Sequence, residues 1–224
     1  MPILSAISYF LSQHPLWSLL VISLSFSVMG IGLSFLRKKA IWSGLAVIGL
    51  LLAIANVFLG HIVNALFLNA NGVIGTAVIV HAEQTSSTLN DQYIWDYDAV
   101  LKTADGQDVP FAFDTMTASI YPIRNEILIP PEGELFVVKY IPGFPRNAVI
   151  LSDQSEYGKK LKMDEDFQAV SKAEAELAFS PDNKVFLEQY RQALQQFIAL
   201  HRNDADPALI ASCERKLDAL TPPK

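Results

Sequence analysis

His81 and Glu83 stand two residues apart, and so do Asp96 and Asp98. On a β-strand that spacing puts both members of a pair on one face. An imidazole and three carboxylates on neighbouring strands could therefore meet, and such a set moves protons or holds a divalent cation. The other face of the second strand carries Tyr93, Trp95, Tyr97, Ala99 and Leu101, a row that belongs in a core and turns Asp96 and Asp98 toward water. Solvated carboxylates are the first expectation; an envelope enzyme or metal-binding protein using these four groups is the alternative. His201 lies on an apolar helical seam and is expected to pack. The single cysteine, Cys213, excludes an internal disulfide and a cysteine-rich metal site, and reads as a small buried residue. The chain has no Gly-rich phosphate loop, no Gly-x-Ser-x-Gly and no His-Glu-x-x-His. No catalytic residue, metal or cofactor is expected.

The elements that must position these groups begin with residues 16–68, which read as a transmembrane hairpin. Residues 16–36 and 41–60 carry no charge and are long enough for a ~30 Å hydrocarbon core, which takes ~20 helical residues. Arg37, Lys38 and Lys39 form the turn. They are the only basic residues near either span, so the turn is expected in the cytoplasm and both termini outside, in the periplasm of a bacterial inner membrane. A cleaved signal peptide fits poorly, because no Lys or Arg precedes Arg37 and the apolar run is too long. Trp17 and Trp42 are expected as interface anchors. Ser23, Ser27, Gly30 and Ser34 form one small-residue stripe, and Ala46, Gly49, Ala53 and Asn56 another, continued by Gly60. Such stripes let helix backbones approach closely, and pairing about Lys38 predicts a hydrogen bond between Asn56 and Ser23. Residues 1–15 suggest a short interfacial helix, with Ile3, Leu4, Ile7, Phe10 and Leu11 on one face, Ser5, Ser8 and Ser12 on the other, and Pro15 as its stop. His61 and Asn64, one turn apart at the outer end of the second span, are expected to be interfacial.

Over residues 69–152 the period becomes two. Strands are expected at 73–82, 92–103, 109–113, 135–140 and 148–151, with a turn at 86–91 and a hairpin at 104–107. Pro110 places its strand at an edge or a bulge. The segment Val138-Lys139-Tyr140-Ile141-Pro142-Gly143-Phe144-Pro145-Arg146-Asn147-Ala148-Val149, with the opening strand Gly75-Thr76-Ala77-Val78, resembles a widespread bacterial family of unknown function. Its pattern is a strand ending in Tyr, then x-Pro-x-x-Pro-x-x-Ala and a final strand. The resemblance covers residues 45–151 and implies transmembrane helices followed by a small extracytoplasmic β domain, with no catalytic residues to carry over. This chain departs from it at Ile141, where Asp is usual, in its longer stretch over 115–131, and in its helical tail. Within that long stretch Ile120, Tyr121, Ile123, Ile127 and Ile129 either pack inward or form an apolar lip for a partner or for lipid.

Residues 153–224 return to helical spacing, with caps at Ser180-Pro181 and Asp206-Pro207. The whole reads as a membrane α-helical hairpin plus an α+β soluble part: a small five-stranded antiparallel sheet or barrel of SH3 or OB shape, then a three-helix region. All 23 acidic residues and 14 of the 17 basic ones follow residue 68, a net −9 that disfavours nucleic acid and anionic lipid surfaces. The expected function is non-enzymatic. The chain would be anchored in lipid and present its outer domains to another envelope protein, an immunity protein facing a basic toxin or an accessory subunit of an envelope complex being examples. A channel or transporter component built from several copies, with Ser23, Ser27 and Asn56 lining a pore, is a further alternative.

Overall fold

The computed structural model describes residues 1–220. Three helices come first: α1 (Pro2–Gln13), α2 (Pro15–Arg37) and, after a tight 3-10 segment (Ala40–Gly44), α3 (Leu45–Asn71). Six strands follow: β1 (Val73–Leu89), β2 (Gln92–Lys102), β3 (Asp108–Asp114), β4 (Ile120–Tyr121), β5 (Leu135–Ile141) and β6 (Phe144–Leu151). Helices α4 (Glu156–Phe179), α5 (Lys184–His201) and α6 (Pro207–Ala219) end the described chain. The chain divides into two compact units, Met1–Gly158 and the residues from Lys159 onward.

In the first unit, α2 and α3 run antiparallel with their small residues facing. A Cβ on Gly49 would collide with Phe26, and one on Gly30 would come 2.7 Å from the Trp42 carbonyl. Both helices are long and apolar enough to cross a membrane, and little of their apolar length is covered, 6% for α2 and 17% for the stretch Ala40–Asn71. Their outward apolar residues range from 43% exposure at Ile54 to 85% at Phe35, so they are not core helices of a water-soluble fold. Trp17 and Trp42 are both exposed. Lys38 ends α2 in the left-handed region (φ 50°), where its N–H reaches the Ser34 carbonyl.

The predicted Asn56–Ser23 bond does not form. The Asn56 amide donates instead to Ser18 Oγ and to the Leu11 carbonyl, both at 2.8 Å. The pairing lies five residues nearer the start of α2 than predicted. The second acceptor has a local cause: the Leu11 carbonyl would accept from residue 15, and Pro15 has no N–H to give. Ser23 Oγ is left buried without a partner.

Helix α1 does not lie alone at the interface. It stacks along the C-terminal half of α3 and against β6, with Ser5 and Ser12 buried and Ile3, Leu4 and Ile7 outward. The serine face is the inner one, an inversion that suits apolar surroundings.

The sheet has the order β3-β2-β1-β5-β6-β4, antiparallel except for the short β4, which runs parallel to β6. It is thus six-stranded and mixed rather than five-stranded and antiparallel, and no ladder among the described residues closes it into a barrel. Pro110 sits on the edge strand β3, where its missing donor costs nothing. The turn expected over 86–91 is shorter than predicted. β1 continues to Leu89 through the β-compatible Thr85 and Thr88, and Asn90 and Asp91 alone turn the chain, at φ 51° and 62°. The extended hairpin carries Tyr93 and Trp95 beyond the core, so both stay exposed, whereas Ala99 and Leu101 are buried with Ala77, Ile79, Phe136 and Val138. A smaller core joins the end of α3 to the sheet through Ala65, Leu68, Ile141, Val149 and Leu151. There Lys139 Nζ donates to the Asn69 carbonyl at 2.7 Å, a cation at the helix C-terminus.

In the second unit, Val170, Ala173, Tyr190, Leu194, Phe197, Ile198, Ile210 and Cys213 form the core of α4, α5 and α6. Asp206 caps α6 through Ala208 N–H at 2.8 Å. The cap of α5 is Asn183 rather than Ser180, because the Asn183 side chain accepts from Val185 N–H at 2.9 Å and Pro181 falls in the preceding turn. His201 is buried against Phe197 and meets Asp166 Oδ2 at 2.8 Å. Burial raises the pKa values of Cys213 and of Tyr190, which the neighbouring Glu174 raises further. The hydrogen bond from Lys216 Nζ, at 2.7 Å, holds the Glu174 carboxyl below its ordinary value.

Candidate functional site

The β1–β2 ladder pairs His81 with Asp98 and Glu83 with Asp96, and the β2–β3 ladder sets Asp114 beside Asp96. The sequence-predicted quartet therefore shares one face. Its members do not converge: His81 Nε2 and Glu83 Oε2 are 3.9 Å apart with side chains 60% and 76% exposed, and Asp96 and Asp98 are exposed too. Among the described residues, no three His, Cys, Asp or Glu side chains are placed to hold a metal. A broad cleft of ≈410 Å³ separates this face from Tyr9, Gln13 and His14 of the α1–α2 junction. The exposed carboxylates give this face a negative charge that attracts cations.

Behind it lies a polar node around Asn64, a residue expected at the membrane interface and instead buried within the protein. Asn64 on α3 and Asn147 on β6, both fully buried, exchange side-chain amide bonds at 2.8 and 2.9 Å. Asn64 Nδ2 also donates to Ser119 Oγ at 2.9 Å, and Asn147 Nδ2 to the Ser5 carbonyl at 3.0 Å. Ser8 Oγ donates to Asn64 Oδ1 at 2.7 Å, and Ser119 Oγ to the His61 carbonyl at 3.3 Å. Every amide proton and carbonyl of the pair is thus used, as burial demands. The node ties α1, α3, the β3–β4 connection and β6 into one body. Its sequence signals are the asparagines themselves, one in an apolar helix and one in the strand after Pro145, and only the tertiary fold reveals their pairing.

The third feature is a half-open apolar pocket of ≈270 Å³ between α3, the tip of the β1–β2 hairpin and the 115–127 segment. Val57, Phe58 and Ile62 form its helical wall, and Leu89 and Met116 the sheet side. Of the residues read as an apolar lip, Ile120, Ile123 and Ile127 line it, whereas Tyr121 and Ile129 pack into the two sheet cores. Arg124 holds Asp153 through two bonds of 2.9 Å beside the pocket. Tyr157 fixes the far end of the loop by donating to the Leu128 carbonyl at 2.8 Å, and its pKa is raised by burial, then by Asp153 and Glu134. No family model, curated protein or solved structure matches this chain.

Proposed function

We propose that the protein is a non-enzymatic two-pass anchor of a bacterial inner membrane that holds an acidic β domain and a helical unit outside the cell membrane for binding another protein. The observation that carries this reading is the union of anchor and display. The buried Asn64–Asn147 pair fixes the sheet directly to the end of an apolar helix, and the exposed face bearing Glu83, Asp96, Asp98 and Asp114 belongs to that same body. A rigid acidic surface suits a basic partner, an envelope toxin or a subunit of an envelope complex, through steering and charge complementarity. The turn carrying Arg37, Lys38 and Lys39 lies in the cytoplasm in this topology. The approach of β3 to β6 favours a small SH3- or OB-like curvature for the sheet.

Photo-crosslinking from position 98 in native membranes tests it. Capture of one basic protein is expected, weakening as salt rises and abolished by Glu83→Lys with Asp96→Lys, two exposed neighbours on the same face. Capture indifferent to both changes contradicts the electrostatic reading.

A further inference from the structure

We propose that the apolar pocket between α3 and the 115–127 segment is a lipid site, occupied by one acyl chain of a glycerophospholipid from the leaflet next to the β domain. This rests on the membrane-anchored reading above and adds to it a specific ligand. The argument begins with depth. The hydrogen bond from Asn56 to Ser18 fixes the level of α3 against the start of α2. Val57 and Phe58, in the pocket wall, therefore stand level with Trp17, an exposed ring of the kind that settles among headgroups. The pocket opens where the hydrocarbon begins. Phe58 is 68% exposed, so the same side chain belongs both to the pocket wall and to the lipid-facing surface of α3, and the two apolar surfaces are continuous.

The size and chemistry of the lining agree. A cavity of ≈270 Å³ takes a chain segment of roughly nine heavy atoms, at the ~30 Å³ that one molecule of liquid water occupies. The lining is mostly aliphatic, and it also carries His61 and Glu126, polar groups suited to a glycerol and headgroup at the mouth. On the hairpin whose tip supplies Leu89, Tyr93 and Trp95 remain exposed, adding amphipathic rings that favour the same zone. An aqueous partner would find its apolar contacts already at the membrane surface, where acyl chains are the commonest competitor.

The test uses the full chain in vesicles of phosphatidylethanolamine with a minority of phosphatidylglycerol. A photoreactive side chain is placed at Ile123, in the pocket, or at Val28, on the outward face of α2. Phospholipid adducts at both positions are expected. Native mass spectrometry from mild detergent should show one retained phospholipid, with retention falling at least about tenfold, the ratio that ~1.4 kcal/mol of lost affinity gives, in both Ile123→Glu and Ile127→Glu. These two positions are exposed, so the fold tolerates the change. Adducts at Val28 alone overturn the lipid site and leave the anchor standing. Adducts from Ile123 to a second copy of the chain, or retention unchanged in both variants, also overturn it. No lipid adduct at Val28 removes the anchor itself and the lipid site with it.

Discussion

Asn64 and Asn147 satisfy each other in a site without solvent, so replacing either one strands the other's amide. Asn64→Leu or Asn147→Leu should each cost about 1–3 kcal/mol. The double variant should cost less than the two together, because the second change removes the group that the first left unpaired. Chemical denaturation in detergent, followed by tryptophan fluorescence, reads this directly; strict additivity would deny the pairing. Asn56→Leu should cost about 1–2 kcal/mol, since it leaves the Leu11 carbonyl without the donor that replaces Pro15. Glu174 gives a pH prediction. Its carboxyl lies below the ordinary 4.5 because Lys216 bonds it. The stability it contributes is present above the unfolded value and fades as pH falls through the folded one, so the loss falls below pH 4.5. Both side chains are about two-fifths exposed, so Lys216→Met should cost under about 1 kcal/mol at neutral pH, and the difference should vanish in acid. Melting curves at both conditions check it. At this scale the sequence was informative where chemistry is local: the Asp206 cap, the edge placement of Pro110 and the burial of His201. It was silent on Asn64 with Asn147, which are 83 positions apart and meet only through the tertiary fold.

The hairpin of α2 and α3 closes around residues with no side chain to spare. A leucine at Gly49 must displace Phe26, so Gly49→Leu should separate the helices and cost about 1–3 kcal/mol. Thermal stability in detergent, together with cysteine crosslinking across the pair, measures it; an unchanged crosslink would contradict the close crossing. The two long apolar helices and most strands were legible because apolar length and period carry them. The register of the hairpin was not, because a 3-10 segment at a turn leaves no strong signature. The course of α1 was hidden for a related reason. Its serines looked solvent-facing under the rules for water, while the fold buries them and turns the isoleucines outward. β1 ran further than expected because Thr85 and Thr88 suit a strand as readily as a turn.

At the scale of the molecule, α3 extends about 16 Å past the start of α2, taking 1.5 Å for each residue after Gly60. That extension serves as the mast on which α1 and the sheet are fixed. A mast joined through a buried polar pair and an apolar core transmits the anchor's orientation to the acidic face. In the proposed reading the face is thereby held near the membrane at a set angle, which would restrict the geometry of a partner that binds it. Such a device needs one topology: Arg37, Lys38 and Lys39 on one side of the membrane and the sheet on the other. The chain's single cysteine, Cys213, is buried, so engineered thiols can report this with little background. Asp105→Cys, on the β2–β3 turn, and Lys39→Cys, beside α2, are each exposed to a membrane-impermeant maleimide in intact spheroplasts. The account predicts rapid labelling at position 105, with position 39 reacting only after the membrane is permeabilised. Labelling at 39 before permeabilisation, or protection of 105, would contradict it.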